Sequence, residues 1–277
     1  MEKIAILLAT YNGEQNIAPQ IDSLLSQTYK GWTLYIHDDG STDKTASIID
    51  SYCDKHDNIS SMDYPPTGGA KNNFLSLLQR IEADYYMFCD QDDIWDEKKI
   101  EVQIGRMHEM ERSYGDIPLL VFSDLKVVDN ALKEMSSSMW RDGGVKPEYL
   151  CSFDKGAVFE FVTGCTMLFN DKAKRCVSFN ANKALMHDSW IACCVLKANG
   201  IIKGINKPLV NYRQHGDNTL GATSWASHGI LYKLLHISNI VRKNYRHWKS
   251  LEDLGYGSFF KYLKNKYLFR NRRHGKE

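Results

Sequence analysis

Tyr85-Tyr86-Met87-Phe88-Cys89-Asp90-Gln91-Asp92-Asp93-Ile94-Trp95 is the stretch on which the fold turns. Five apolar residues, too few for a helix and bounded by charge, predict a short strand buried on both faces. Such strands belong to parallel sheets, whose ligands sit beyond the carboxyl ends, where three carboxylates follow here. Upstream, residues 4–9 form a similar run, followed by a helix through Ile21, Leu24 and Leu25 at i, i+3 and i+4. Residues 34–37 predict a second strand. The turn Asp39-Gly40-Ser41-Thr42-Asp43 leads into a helix through Ile48, Ile49 and Tyr52, with Ser41 or Thr42 as its N-cap. Residues 72–81 predict another helix. Downstream come a helix over 96–111, a strand over 119–123 and a polar, Ser- and Gly-rich segment over 130–153, read as a loop region carrying the acceptor side of a site. A strand over 159–169, a helix over 189–198 and a final strand over 209–212 complete the pattern. This alternation is that of an α/β domain with a largely parallel sheet.

Composition agrees with that class. The chain has 277 residues, 43% hydrophobic and 25% charged, which excludes disorder, collagen and coiled coil. The length accommodates one large domain or one domain with a small appendage. The first apolar run is short and carries Glu2 before it, unlike a signal peptide, and no segment reaches the roughly 18–20 apolar residues of a membrane span, so a cytoplasmic location is expected. Cys53, Cys89, Cys151, Cys165, Cys176, Cys193 and Cys194 are odd in number and contain no C-x-x-C pair, which predicts reduced, mostly buried thiols. The net charge of +1 hides a division: residues 228–277 hold twelve Lys/Arg against three Asp/Glu, or +9, leaving −8 for residues 1–227.

Carboxylates cluster after strand ends at Asp38-Asp39, Asp90-Asp92-Asp93, Asp124 and Asp188. A carboxylate run in a turn is often a solvated cap, but three at the end of an apolar strand repel one another unless a cation or donors compensate. A hard divalent ion, Mg²⁺ or Mn²⁺, is the natural compensator, and it commonly shares its coordination with substrate phosphates. Neither a G-x-x-x-x-G-K-[ST] loop nor a G-x-G-x-x-G turn is present, so P-loop hydrolysis and dinucleotide redox have no motif support.

Taken together, Ala9-Thr10-Tyr11-Asn12, Gln27-Thr28, Asp38-Asp39-Gly40-Ser41-Thr42-Asp43, Asp90-Gln91-Asp92-Asp93-Ile94-Trp95, His187-Asp188 and Tyr212-Arg213-Gln214-His215 resemble, in order and separation, the family 2 glycosyltransferases over about residues 3–220. The resemblance implies the GT-A fold, a Rossmann-like mixed sheet flanked by helices. It also implies a nucleotide-sugar donor, a divalent ion and inversion at the anomeric carbon. By position, Thr10, Tyr11, Asn12 and Asp39 would line the nucleotide pocket, with Asp39 accepting from a pyrimidine N–H. Asp90 and Gln91 would lie at the ribose, Asp92 and His215 would ligate the metal, Asp188 would be the general base, and Arg213 would approach the diphosphate.

Several of these residues have plainer readings. Asp188 can be a helix N-cap, His215 a loop histidine, and Lys71 an ordinary surface lysine rather than, with Asn72, a phosphate contact at a helix start. Trp95 is either a sugar-stacking platform or a core tryptophan. His187 holds a place where many family members carry an acid, and it is grouped with Trp95 on the acceptor side. The Q-x-x-R-W signature of processive synthases is absent, favouring addition of one sugar, and the motif wording resembles the rhamnosyltransferase branch of O-antigen and capsule assembly. The expected donor is a dTDP- or UDP-sugar and the expected acceptor a glycan on a lipid carrier. A sugar-nucleotide-forming nucleotidyltransferase and a catalytically silent glycan-binding module are the rivals.

The domains read as 1–222 for the catalytic unit and 223–277 for a basic helical tail. Ile230, Leu234, Ile237 and Val241 recur at helical spacing, and Phe259, Phe260, Tyr262, Leu263, Tyr267 and Phe269 interleave with lysines and arginines. This composition suits an anionic membrane surface, and so peripheral attachment to the inner face of the cell membrane, or else packing on the body; no nucleic-acid recognition motif accompanies it.

Overall fold

The computed structural model describes residues 2–179, 184–214 and 237–270. The first half is the expected alternation: β1 (Ile4–Thr10), α1 (Ile17–Leu25), β2 (Trp32–Asp38), α2 (Thr45–Cys53), β3 (Ile59–Ser61), α3 (Ala70–Arg80) and β4 (Tyr85–Asp90). Then come β5 (Ile94–Trp95), α4 (Lys99–Tyr114), β6 (Leu119–Val128), β7 (Glu134–Ser136), α5 (Met139–Asp142), α6 (Phe153–Gly156), β8 (Met167–Asn170), α7 (Asp171–Arg175), α8 (His187–Lys197) and β9 (Ile201–Arg213). The strands form one mixed sheet in the order β3-β2-β1-β4-β8-β6-β9-β5, with β7 paired to β6. β1 lies parallel to both β2 and β4, whereas β8 runs antiparallel between β4 and β6. Both faces are covered: Ala5, Leu7 and Ala9 of β1 enter one core and Ile4, Ile6 and Leu8 the other, as the period of two requires.

Two connections position the site. The acidic turn leaves β4 in mid-sheet, and Ile94–Trp95 then pairs with Asn211 and Val210 of β9 at the far edge. Asp90–Asp93 is thereby held at both ends. Along β6 and β9 the parallel register shifts at Asp124, opposite Pro208, which has no N–H for a ladder bond. Asp124 is buried there and accepts from Leu125 N and Trp140 N at 2.8 and 3.1 Å and from the Ser138 hydroxyl. It lies inside β6, which runs on to Val128, and it anchors the segment around α5.

Four sequence expectations need correction. The helix after the Asp39 turn starts at Thr45, and the capping oxygen comes from Asp43, which accepts from Thr45 N at 3.0 Å. The Ser41 hydroxyl is committed to Asp38 and to Asn12 N instead. Residues 159–163 are not strand, because none of them pairs with a neighbouring strand; only Met167–Asn170 pairs. The 130–153 segment contains β7, α5 and a 3-10 turn at Pro147–Leu150. α4 begins three residues later than expected, after an Asp96 carbonyl and side chain that receive the Lys99 and Lys98 N–H groups.

The boundary expected at 222/223 lies outside the described residues. The tail contributes a first helix, Ile237–Ser250, and a second, Phe259–Leu268. They pack on the body: Leu251, Tyr256 and Tyr262 join the core that includes α8, and the Tyr256 hydroxyl donates to Asp154 O at 2.9 Å. No helix among the described residues is long and apolar enough to cross a membrane.

Candidate active site

A cleft of about 1420 Å³ opens along the carboxyl ends of β1, β2 and β4. Pockets for one small ligand commonly hold about 300–1000 Å³, so this cleft has room for two substrates. Thr10, Tyr11, Asn12, Asp39, Asp90, Gln91, Asp92 and Arg213 border it. Glu160, Thr163, Gly164, His187 and Asp188 border it as well.

The β1 end is built by side chains that hold backbone. Gln91 Oε1 accepts from Tyr11 N at 2.9 Å and its amide donates to Tyr11 O. Asn12, in the left-handed region at φ 47°, accepts from Thr42 N. Asp39 caps a second loop: Thr67, Gly68 and Gly69 N–H groups and the Thr67 hydroxyl all donate to its carboxylate. These donors outweigh partial desolvation and pull its pKa below the ordinary value. Gly68 and Gly69 have φ of 81° and 111°, a region that lets successive N–H groups converge on one carboxylate.

The acidic turn is different. Burial, with repulsion from Asp92 and Asp188, pushes Asp90 upward, and burial, with repulsion from Asp90 and Asp92, does the same to Asp93. Asp93 is fully buried, accepts from Arg213 N at 3.2 Å through one oxygen, and has no partner on the other. Ligand atoms of Asp90, Asp93 and Cys165 lie within 4.8 Å of one another. Burial keeps the Cys165 thiol protonated, so the donors on offer are hard carboxylate oxygens, which fit Mg²⁺ or Mn²⁺. Lys99 is buried behind the turn, donating to Gln103 at 2.6 Å, and burial lowers its pKa to about 7.

Asp188 stands in the first turn of α8, where the helix terminus favours negative charge. It accepts from Gly164 N at 3.0 Å and Ser189 N at 2.6 Å. Burial nevertheless raises it to about 6. The residue at the N-cap position is Met186, so Asp188 is not the cap. The Gly164–Thr166 turn that orients it is tied to α4, since Gln103 Nε2 donates to Thr166 O at 2.7 Å.

Other expected residues take different parts. Trp95 is 3% exposed, under Lys99 in the core, and is no platform for a sugar. His187 is 3% exposed, stacked on Phe74 and edge-on to Phe88, and burial lowers its pKa to about 3, so it is a neutral packing residue rather than an acceptor contact. Lys71 donates to Ala184 O and Asn72 to Thr67 O, and neither borders the cleft. Arg213 is buried, with Nε on Asp92 O at 2.8 Å and Nη1 on Asn130 O, and so steadies the turn from behind. His215 lies outside the described residues.

Glu160 was missed in the sequence. It is the single charge in Ala157-Val158-Phe159-Glu160-Phe161-Val162, and that interruption was the available signal. Its carboxyl is raised by desolvation and by Asp188 across the cleft wall.

The comparisons with known proteins agree with this geometry. The chain is 28% identical over 228 residues to the dTDP-rhamnosyl transferase RfbG of Shigella flexneri, covering 78% of this chain and 74% of that protein. It is 31% identical over 120 residues to the UDP-Glc:alpha-D-GlcNAc-diphosphoundecaprenol beta-1,3-glucosyltransferase WfgD of Escherichia coli, covering 42% of this chain and 46% of the other. Among solved structures, S. aureus TarS 1-349 in complex with UDP-GlcNAc superposes with a TM-score of 0.58 at 17% identity, covering 86% of this chain and 66% of that one, and this likeness carries the fold: GT-A. The model of Glycosyl transferase family 2 matches residues 5–173, where β1, the Asp39 loop, the acidic turn and the Gly164 turn all lie, and the chain belongs to that family.

Proposed function

We propose that this chain transfers a single sugar, rhamnose in the first instance, from a nucleotide-diphosphate donor to a hydroxyl of a growing cell-surface glycan, with inversion at the anomeric carbon. The observation that carries the reading is that the Asp90–Asp92 turn and Asp188 border one cleft, with Asp188 near enough to Asp90 to raise its pKa. Asp188 takes the proton from the acceptor hydroxyl as that oxygen forms its bond to the sugar C1. The bond from C1 to the diphosphate breaks on the opposite face, and its electron pair leaves with the diphosphate. Gly164 N–H and Ser189 N–H orient the Asp188 carboxylate, and the loops at Tyr11 and Asp39 seat the nucleotide. Asp92, with Asp90 beside it, would hold Mg²⁺ or Mn²⁺, which neutralises charge gathering on the departing diphosphate.

Names of similar proteins support a dTDP- or UDP-linked donor, and WfgD's name supports a lipid-diphosphate-linked acceptor. The reading places the protein at the inner face of the membrane, held peripherally. Thermal-shift titration with UDP, GDP, dTDP and their sugar conjugates, with and without Mn²⁺ or Mg²⁺, tests the donor site. Metal-dependent stabilisation by a uridine or thymidine diphosphate, lost in Asp92→Ala, is expected. No response to any member would sink the reading.

A further inference from the structure

The second tail helix divides its surface into two unlike sides. Tyr262 and Asn265 face inward and are buried, Tyr262 completely, with Phe269 partly covered beside them. Lys261 and Lys266 flank this packed side, the first paired with Asp154 at 2.7 Å and the second donating to the Tyr262 hydroxyl at 2.9 Å. The opposite side carries Phe260 and Tyr267, 78% and 81% exposed, with Leu263 and Leu268 at 40% and 50%. Exposed Lys264 and Arg270 stand among them. Positions 260, 263, 264 and 267 follow the i, i+3, i+4, i+7 spacing of one helix face. Among the described residues the helix therefore packs with one face and presents a second that none of them covers, and a concentrated exposed apolar patch marks an interaction site.

Charge selects the occupant. Between residues 237 and 270 the tail carries eight Lys/Arg against Glu252 and Asp253, an excess of six positive charges, and Lys264 and Arg270 stand within the apolar face itself. Aromatic residues with leucines, rimmed by basic side chains, match the boundary between acyl chains and anionic headgroups. Base stacking on single-stranded nucleic acid would use the aromatic rings and leave Leu263 and Leu268 without a role.

We propose that this face lies in the plane of an anionic bilayer surface, with Phe260, Leu263, Tyr267 and Leu268 entering the headgroup–acyl boundary and Lys264 and Arg270 pairing with lipid phosphates. The inference deepens the proposed function and rests on it only for the benefit of the arrangement, since a lipid-linked acceptor presents its sugar at such a surface.

Flotation of the full-length chain with phosphatidylcholine vesicles, with and without phosphatidylglycerol, reads the proposal directly. Binding to the phosphatidylglycerol vesicles at low salt, weakened at high salt, is expected. The double variant Phe260→Ser/Tyr267→Ser should lower partitioning about tenfold, and Lys264→Glu/Arg270→Glu should remove the preference for anionic vesicles. Both variants should keep wild-type circular dichroism, because neither changes a buried residue. Full-length protein that stays unbound at low salt, or binding unchanged in Phe260→Ser/Tyr267→Ser, overturns the proposal. Self-association without lipid that this variant abolishes overturns it in favour of a second copy of the chain. The nucleotide thermal shift is read separately: flotation without nucleotide binding would refute the transferase reading and leave the membrane face standing, and the reverse result would do the opposite.

Discussion

β2 and β4 are both parallel neighbours of β1, and each delivers carboxylates to the same cleft, yet the two sets are in opposite states. Asp39 beyond β2 is held ionised by the N–H groups of a glycine loop, whereas Asp90 and Asp93 beyond β4 are pushed toward protonation with few donors to oppose their repulsion. Position after a strand brings a carboxylate to the cleft; the backbone around it decides what the carboxylate can do. Satisfied by its own loop, Asp39 holds the Thr67–Gly69 backbone in place at the cleft. The acidic turn has no such cradle, and burial with mutual repulsion disposes Asp90 and Asp93 to hold protons. Asp188 falls between these extremes, with two N–H donors and a pKa raised to about 6.

The comparison breaks most sharply at Asp188. Asp188→Asn should lower transfer by about 10²–10⁴-fold with nucleotide affinity unchanged in thermal-shift titration. Loss of both would mean that Asp188 belongs to the donor side instead.

The pH dependence follows. Transfer should fall about tenfold per pH unit below about pH 6, as Asp188 takes up its proton, and a kcat profile checks this. Stability runs the other way. The folded-state pKa is above the unfolded value, so stability is greatest when Asp188 is protonated and is lost as pH rises from near 4 through about 6. At neutral pH Asp188→Asn should therefore be more stable than the parent by about 1 kcal/mol, seen as a higher midpoint in denaturant.

Gly69→Ala sharpens the Asp39 half. At φ 111° a Cβ is strained even though the space around it is open, so a cost of about 1–2 kcal/mol is expected. Weaker nucleotide binding should accompany it; unchanged affinity would mean that the glycine loop does not seat the donor. The smallest effect belongs to Glu160→Gln, expected to raise the apparent KM for acceptor a few-fold, about 1 kcal/mol, with donor binding intact.

Much of this was legible in the sequence because apolar runs that stop at charge mark strand ends, and the cleft collects strand ends. Thr10 ends β1, and Asp39 and Asp90 stand at the ends of β2 and β4 as that signal placed them, whereas Asp188, also expected after a strand end, lies in the first turn of α8. What failed was exposure. Trp95 and His187 adjoin the carboxylates in sequence but are buried, because the two-residue strand at Ile94–Trp95 turns the indole into the core and Phe74 and Phe88 close over the imidazole. Lys71 failed similarly, its ammonium captured by a carbonyl more than a hundred residues away. Glu160 went unseen because a strand reading of residues 159–169 gave its side chain no distinct destination.

The double anchorage of the acidic turn, by β4 at one end and by β5 on β9 at the other, has a consequence for affinity. A loop free to reshape would surrender conformational freedom each time a donor arrived. Here that freedom is already lost when the sheet closes, so a nucleotide sugar meets a surface whose shape is set in advance, and its binding free energy is not consumed in ordering the protein.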